Sequence, residues 1–179
     1  MTIYALASGS GISGVAVIRV SGDNVKRVIK LLTGKELPSP RVATLRKINN
    51  INTSELIDEG ITIWFPGPES YTGEDMAEFH VHGGKAVILA IQNQISKIEN
   101  CRLAEPGEFT KLAFQNGKIN LLKAESIADL ISAETEMQRL QAVKIMQGKS
   151  SDKFNELREK LIKILSYVEA KIDLSLIHI

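Results

Sequence analysis

One stretch of the sequence indicates the fold more directly than any other. It reads Trp64-Phe65-Pro66-Gly67-Pro68-Glu69-Ser70-Tyr71-Thr72-Gly73-Glu74-Asp75-Met76-Ala77-Glu78-Phe79-His80-Val81-His82-Gly83-Gly84. A strand predicted at Ile61–Phe65 ends at Pro66, because proline lacks a backbone donor and fixes φ. Met76–Val81 is predicted to form a second strand. Gly83-Gly84 then opens a helix with one apolar side, so the stretch predicts strand, loop, strand and helix.

The flanking sequence up to Asn120 has the same mixture of short elements. Strands are predicted at Thr2–Ala7, Val15–Val20 and Val42–Ile48. A helix follows Ser21-Gly22-Asp23 and stops at Gly34, a second short helix starts at Pro106-Gly107-Glu108, and Asn116-Gly117 is a turn. Residues 1–120 are therefore predicted to form one mixed α/β domain.

After Leu121 the apolar residues recur at helical spacing, and no proline is present. One long helix is predicted up to Gly148, and a second helix begins at Ser150 or Ser151. The apolar stripe of the second helix consists of Phe154, Leu157, Leu161, Ile164, Leu165 and Val168. The predicted fold is α+β, a mixed α/β domain followed by a long α-helical hairpin over residues 121–173. A hairpin cannot bury both its faces, so we expect further helices or a partner chain to complete it.

Composition places the chain among soluble globular proteins. Hydrophobic residues make up 44%, charged residues 24%, and the net charge is +1, so no bulk field attracts nucleic acid or a membrane. The single cysteine, Cys101, excludes an internal disulfide and suits a reducing compartment. The N-terminus does not resemble a signal peptide, and no apolar run is long enough to span a bilayer. We therefore interpret the chain as a cytoplasmic protein that does not contact a membrane.

Two glycine-containing matches are weak. Residues 9–14 fit the GxGxxG pattern, but the next residues are strand-like, whereas a dinucleotide site needs a helix there. Gly148-Lys149-Ser150 resembles the end of a P-loop, but Val143 stands where the earlier glycine is required. We interpret the first match as a link between strands and the second as a joint between helices, so no GTPase motif is present.

His80 and His82 lie two residues apart on one strand face, which is a possible metal pair. No third ligand follows at a recognisable spacing, so a structural or ligand-contacting role is the preferred interpretation, and no metal site is predicted. Cys101 has no adjacent histidine, so we interpret it as a packed or surface thiol rather than a nucleophile.

Four separated motifs carry a resemblance to a known family. They are Gly14–Gly22, the stretch Trp64–Gly84, Ala104–Thr110, and Asn116–Leu121 followed by Lys123–Ile131. Their order and spacing resemble the MnmE (TrmE) family of bacterial tRNA-modifying GTPases, at least to Asp173. The resemblance implies that the N-terminal domain is similar to the tetrahydrofolate-binding fold of the aminomethyltransferases.

The resemblance also implies a folate site at Arg19, Glu78 and Lys118. A pterin ring has adjacent N–H donors that a carboxylate such as Glu78 can accept, and the anionic folate tail suits the cations Arg19 and Lys118. Each residue also has an ordinary interpretation, because Arg19 and Glu78 fit the polar face of a strand and Lys118 fits an exposed turn. Only the joint match favours a site.

The function that the resemblance implies is modification of the wobble uridine (U34) of tRNA at C5. The family works with a flavoprotein partner, MnmG, which uses FAD and NADH, and takes the carbon from 5-formyl- or 5,10-methylene-tetrahydrofolate. It forms a homodimer through the N-terminal domain, and a separate domain hydrolyses GTP with Mg²⁺ and K⁺. This chain is expected to lack that domain, to contain no catalytic residue and to be inactive alone.

Two departures from the family pattern accompany the resemblance. The first loop, Ser8–Gly14, lacks the proline and arginine that the family has there. Residues 174–179 can be encoded by a sequencing-library adapter (CTG TCT CTT ATA CAC ATC), so we interpret them as a non-native tail.

Two alternative functions stay open. One is a stand-alone folate-binding or dimerisation module without enzyme activity, and the other is an aminomethyltransferase, against which the helical hairpin argues.

Overall fold

A computed structural model describes residues 1–9 and 11–177 of the chain. The chain forms two compact units, Met1–Lys118 and Ile119–Ile179. The first unit contains strands and helices, and the second is helical. The α+β class predicted from the sequence is thereby confirmed.

The first unit is built on a six-stranded sheet. Its strands are β1 (Thr2–Leu6), β2 (Ser13–Ser21), β3 (Thr44–Asn49), β4 (Leu56–Phe65), β5 (Met76–Gly83) and β6 (Cys101–Leu103), and its helices are α1 (Val25–Thr33), α2 (Lys85–Ile95) and α3 (Glu108–Gln115). The strand order is β3-β4-β5-β2-β1-β6. All neighbours are antiparallel except β1 and β6, which run parallel.

Alternation along the central strands creates one buried face of the sheet. In β2, Ile18 and Val20 are fully buried, and in β5, Phe79 is fully buried. Helices α1 and α2 contribute to the same core through Val28, Leu32, Ile91 and Ile95, among others. Since successive side chains in a strand point to opposite faces, the residues between these apolar positions lie on the other face of the sheet.

The connections of this unit largely follow the turn signals in the sequence. Helix α1 ends at Gly34 in the left-handed conformation, as its glycine predicts. The segment matching GxGxxG joins β1 to β2, and a strand follows it, as expected; Ser10 within it lies outside the described residues. Strand β6 was not predicted, and β4 begins at Leu56 rather than Ile61.

The second unit consists of α4 (Leu121–Ser132), α5 (Glu136–Met146) and α6 (Lys149–Ile177). The single long helix predicted before Gly148 is divided, because Thr135 begins a new helix. Its side chain accepts from the backbone of Gln138, and the Gln138 side chain accepts in return from the backbone N–H of Thr135. The second predicted helix is present as α6.

Two further observations concern the ends of the helical unit. No helix in the described ranges is long and apolar enough to cross a membrane. Helix α6 continues through Ile177, whereas His178 and Ile179 of the interpreted tail lie outside the described residues.

Candidate functional site

The register of β2 and β5 brings Arg19 and Glu78 together. Arg19 lies directly opposite Glu78, and the next pair along the ladder on the same face is Val17 with His80. These side chains point away from the face that carries Ile18.

Glu78 accepts hydrogen bonds on both carboxylate oxygens. Arg19 donates to Oε1 from Nε at 3.0 Å and from Nη2 at 2.8 Å, and His80 Nε2 lies 3.2 Å from Oε2. A carboxylate is an acceptor only, so the proton of this last bond is on His80 Nε2. The side chains of Arg19, Glu78 and His80 are 27%, 15% and 30% exposed, so the cluster is partly shielded but reachable from solvent.

Two aromatic rings flank the Arg19 guanidinium. Its Cζ atom lies 5.5 Å from the ring centre of Tyr71 and 5.6 Å from that of Phe109. Both distances are within the range of cation–π attraction. The Tyr71 hydroxyl lies 3.0 Å from Thr110 Oγ1, which links the loop after β4 to α3. The guanidinium therefore has a defined place between the two aromatic rings.

The start of α3, which carries Phe109, is held by an ion pair. Arg102 on β6 donates to both oxygens of Glu108, at 2.9 and 2.5 Å. The Arg102 guanidinium lowers the pKa of the Glu108 carboxyl below its ordinary value. A bidentate pair of this kind fixes direction as well as distance.

Lys118 is connected to the pair through the loop of residues 66–75. A Cβ atom on Gly73 would lie 3.4 Å from both Cγ and Cδ of Lys118, so the lysine stem runs along this glycine. Asn116 donates to the Thr72 carbonyl at 2.7 Å, and the Thr72 hydroxyl lies 2.7 Å from that of Ser21 on β2. The structure thus brings Arg19 and Glu78 into contact and places Lys118 against the loop that carries Tyr71.

His80 and His82 contact different carboxylates. The backbone N–H and the Nδ1 atom of His82 each lie 2.8 Å from an oxygen of Asp58 on β4. Burial opposes ionisation of Asp58, but the hydrogen bonds from His82 and from the Glu59 backbone outweigh it, so the pKa of Asp58 lies below its ordinary value. His82 is therefore a strand-pairing contact, whereas His80 belongs to the Glu78 cluster.

Sequence reasoning missed Tyr71 and Phe109 as members of this cluster. Both stand inside quoted motifs, but their contacts with Arg19 span long distances along the chain, which no periodicity reports. His80 was noted as half of a possible metal pair, with a structural or ligand-contacting role preferred, but its contact with Glu78 was not predicted. Its position two residues from Glu78, on the same strand face, was the signal for their contact.

The cluster has the chemistry to hold a flat ligand with N–H donors. An ionised carboxylate offers about four lone-pair sites, and three donors occupy Glu78, so about one remains. Aromatic rings and cations lie beside it. The fold defines a class, a mixed α/β domain joined to a helical domain.

Comparison with known proteins identifies the family. Residues 2–118 match the family described as GTP-binding protein TrmE N-terminus, and residues 121–176 match the MnmE helical domain. The chain belongs to the MnmE (TrmE) family, which confirms the resemblance inferred from the four motifs.

Relatives match along nearly the whole chain. The tRNA modification GTPase MnmE of Pelagibacter ubique (strain HTCC1062) is 80% identical over 173 residues, covering 97% of this chain and 39% of the relative. The mitochondrial 5-taurinomethyluridine-[tRNA] synthase subunit GTPB3 of Homo sapiens is 46% identical over 173 residues, covering 96% of this chain and 35% of the relative. The chain therefore spans between 35% and 39% of the length of these relatives.

Proposed function

We propose that this chain is the folate-binding part of a GTPase that modifies the wobble uridine (U34) of tRNA at C5. Membership of the MnmE family and the names of the relatives support the tRNA-modifying activity. The observation that carries the folate site is the contact of Arg19 with the partly buried Glu78 carboxylate. The group added to the uridine is of the aminomethyl or carboxymethylaminomethyl type.

In the proposed site, Glu78 accepts an N–H group of the pterin ring. Arg19 holds the Glu78 carboxylate, with the Tyr71 and Phe109 rings beside its guanidinium, and Lys118 supplies positive charge for the anionic tail. The residues fit this ligand because the carboxylate is fixed on a strand and retains acceptor capacity. When bound, 5-formyl- or 5,10-methylene-tetrahydrofolate supplies the one-carbon unit, and the chain's own residues bind and orient it.

The remaining elements of the proposal concern the whole protein. GTP hydrolysis with Mg²⁺ and K⁺ belongs to a separate domain, the MnmG-type partner contributes FAD, and tRNA is the substrate. The first unit, Met1–Lys118, forms the homodimer contact, and the protein works in the cytoplasm. Within this scheme the residues of this chain position the carbon donor and take no part in GTP hydrolysis.

Calorimetric titration of the 179-residue chain with 5-formyl-tetrahydrofolate tests the proposed site. We expect saturable binding by the parent and binding weakened by about tenfold or more in Glu78→Gln, because hydrogen bonds to a charged group contribute roughly 1.5–3 kcal/mol. Glu59→Gln is the matched control, since Glu59 is exposed on the neighbouring strand. A folded parent that does not bind, or a Glu78→Gln variant that binds as tightly as the parent, would contradict the proposal.

A further inference from the structure

His80 holds the second oxygen of the Glu78 carboxylate. Its Nε2 atom lies 3.2 Å from Oε2, while Arg19 uses only Oε1. We propose that His80 is a positioning residue for the folate ligand, which acts by fixing the orientation of the Glu78 carboxylate. This inference rests on the function proposed above.

Arg19 alone does not fix the carboxylate. Both its donors, Nε and Nη2, converge on Oε1, so the group is free to turn about that oxygen. A bidentate Arg–carboxylate pair, with one donor on each oxygen, would prevent such rotation. Here the His80 bond to Oε2 supplies the second fixed point, and the plane of the carboxylate is thereby set.

The surroundings of His80 keep its ring on Glu78. Its neighbours across the ladder on either side are Val17 and Ile61, which are apolar and offer no competing side-chain acceptor. With the ring held on Oε2, the orientation of the Glu78 carboxylate is fixed. A ligand N–H group requires such a fixed acceptor, because misdirected hydrogen bonds weaken steeply.

Binding measurements on two His80 variants test the inference. We expect His80→Leu to bind 5-formyl-tetrahydrofolate about tenfold more weakly than the parent, the loss that corresponds to one hydrogen-bonded contact. His80→Gln should recover most of the affinity, because its amide can donate to Oε2. His82→Leu is the matched control, since the same change two residues on removes a contact to Asp58 instead. Thermal melts of each variant separate binding from folding.

A double-mutant comparison shows whether His80 acts through Glu78. In a Glu78→Gln background the His80→Leu change should cost less than twofold, because there is no charged carboxylate left to orient. Equal losses in both backgrounds, or a His80→Gln variant as weak as His80→Leu, would overturn the inference.

A measurement without ligand separates this inference from the proposed function. The ¹⁵N shift of His80 Nε2 should change in Glu78→Gln and stay unchanged in Asp58→Asn. An unchanged shift in Glu78→Gln would overturn the positioning role even if folate binds. A parent that does not bind folate would instead contradict the proposed function, whatever the shift shows.

Discussion

Arg19 is a charged residue in an otherwise apolar strand, and its contacts show why it is placed there. Opposite charges directly across an antiparallel pair contribute only about 0.2–1 kcal/mol, and partial burial costs part of that. The pair with Glu78 is 27% and 15% exposed, so it contributes little net stability. Its aromatic neighbours and the His80 contact are therefore consistent with the folate site proposed above.

Asp58 makes stability depend on pH in a defined window. Its pKa lies below the ordinary value, about 3.9, so the folded state favours the ionised carboxylate. The resulting stability is present above the pKa of the unfolded chain and is lost as pH falls through the lower pKa of the folded chain. We therefore expect Asp58→Asn to be less stable than the parent above pH about 5, and the two to converge as the pH falls below about 4.

Urea denaturation of both proteins between pH 2 and 7 checks this expectation. Asp129→Asn makes the same change at an exposed position and is the control. A difference between parent and Asp58→Asn that stays constant over the whole range would show that ionisation of Asp58 does not contribute.

At the scale of elements, the backbones of β4 and β5 approach each other closely at Gly60, so there is no room for a side chain at that position. A Cβ atom on Gly60 would lie 2.2 Å from the His80 carbonyl oxygen, a distance at which the strands have to move apart. We expect Gly60→Ala to lower the free energy of unfolding by about 1–3 kcal/mol, as overpacking does. Gly14→Ala is the control, because nothing lies within 4 Å of its Cβ position.

Chemical denaturation of the two alanine variants measures this difference. Because His80 is displaced with its carbonyl, Gly60→Ala should also weaken folate binding if the proposed site is correct. Equal stability of Gly60→Ala and Gly14→Ala would mean that the pairing of β4 with β5 is looser than the register indicates.

The elements that periodicity predicted were those with many apolar residues. Helix α1 has four fully buried apolar side chains at helical spacing, and the sequence indicated it directly. Strand β6 is three residues long and pairs parallel with β1, so its formation depends on a partner distant in sequence. The break between α4 and α5 was encoded by the Thr135 to Gln138 capping box, a local signal that the apolar stripe concealed.

In the candidate site too, some features have a local sequence signal and others depend on residues distant in the chain. Arg19, Glu78 and Lys118 were named from the family resemblance, and their folate role stays a prediction. The sequence placed Arg19 and Glu78 on separate strands, but only the register of β2 against β5 shows that they touch. The aromatic contacts of Arg19 depend on how a loop and α3 fold over the sheet, which no local pattern reports.

At the scale of the whole molecule, the two units differ in how much of their apolar surface is covered. The first unit has a core of its own under α1 and α2. Helix α6 of the second unit presents an apolar stripe to solvent, and the exposed fractions of its six members range from 48% to 65%. These are the residues at positions 154, 157, 161, 164, 165 and 168 that the sequence assigned to the apolar stripe of the second helix. Since soluble proteins rarely leave a continuous apolar patch of this kind uncovered, we expect the stripe to be a surface for association.

Self-association through α6 is therefore the expected behaviour of the isolated chain. Burying apolar surface contributes about 25 cal/mol per Å², so two stripes packed against each other gain several kcal/mol before the cost of association. Leu161→Glu and Leu165→Glu place a charge in the stripe, and each should shift the sedimentation profile at tens of micromolar towards monomer. Ser166→Glu adds the same charge to the same exposed helix outside the stripe and should leave the profile unchanged. If neither leucine variant shifts the profile, the association belongs to a surface other than α6, and the homodimer contact proposed for Met1–Lys118 becomes the first to test by substitution.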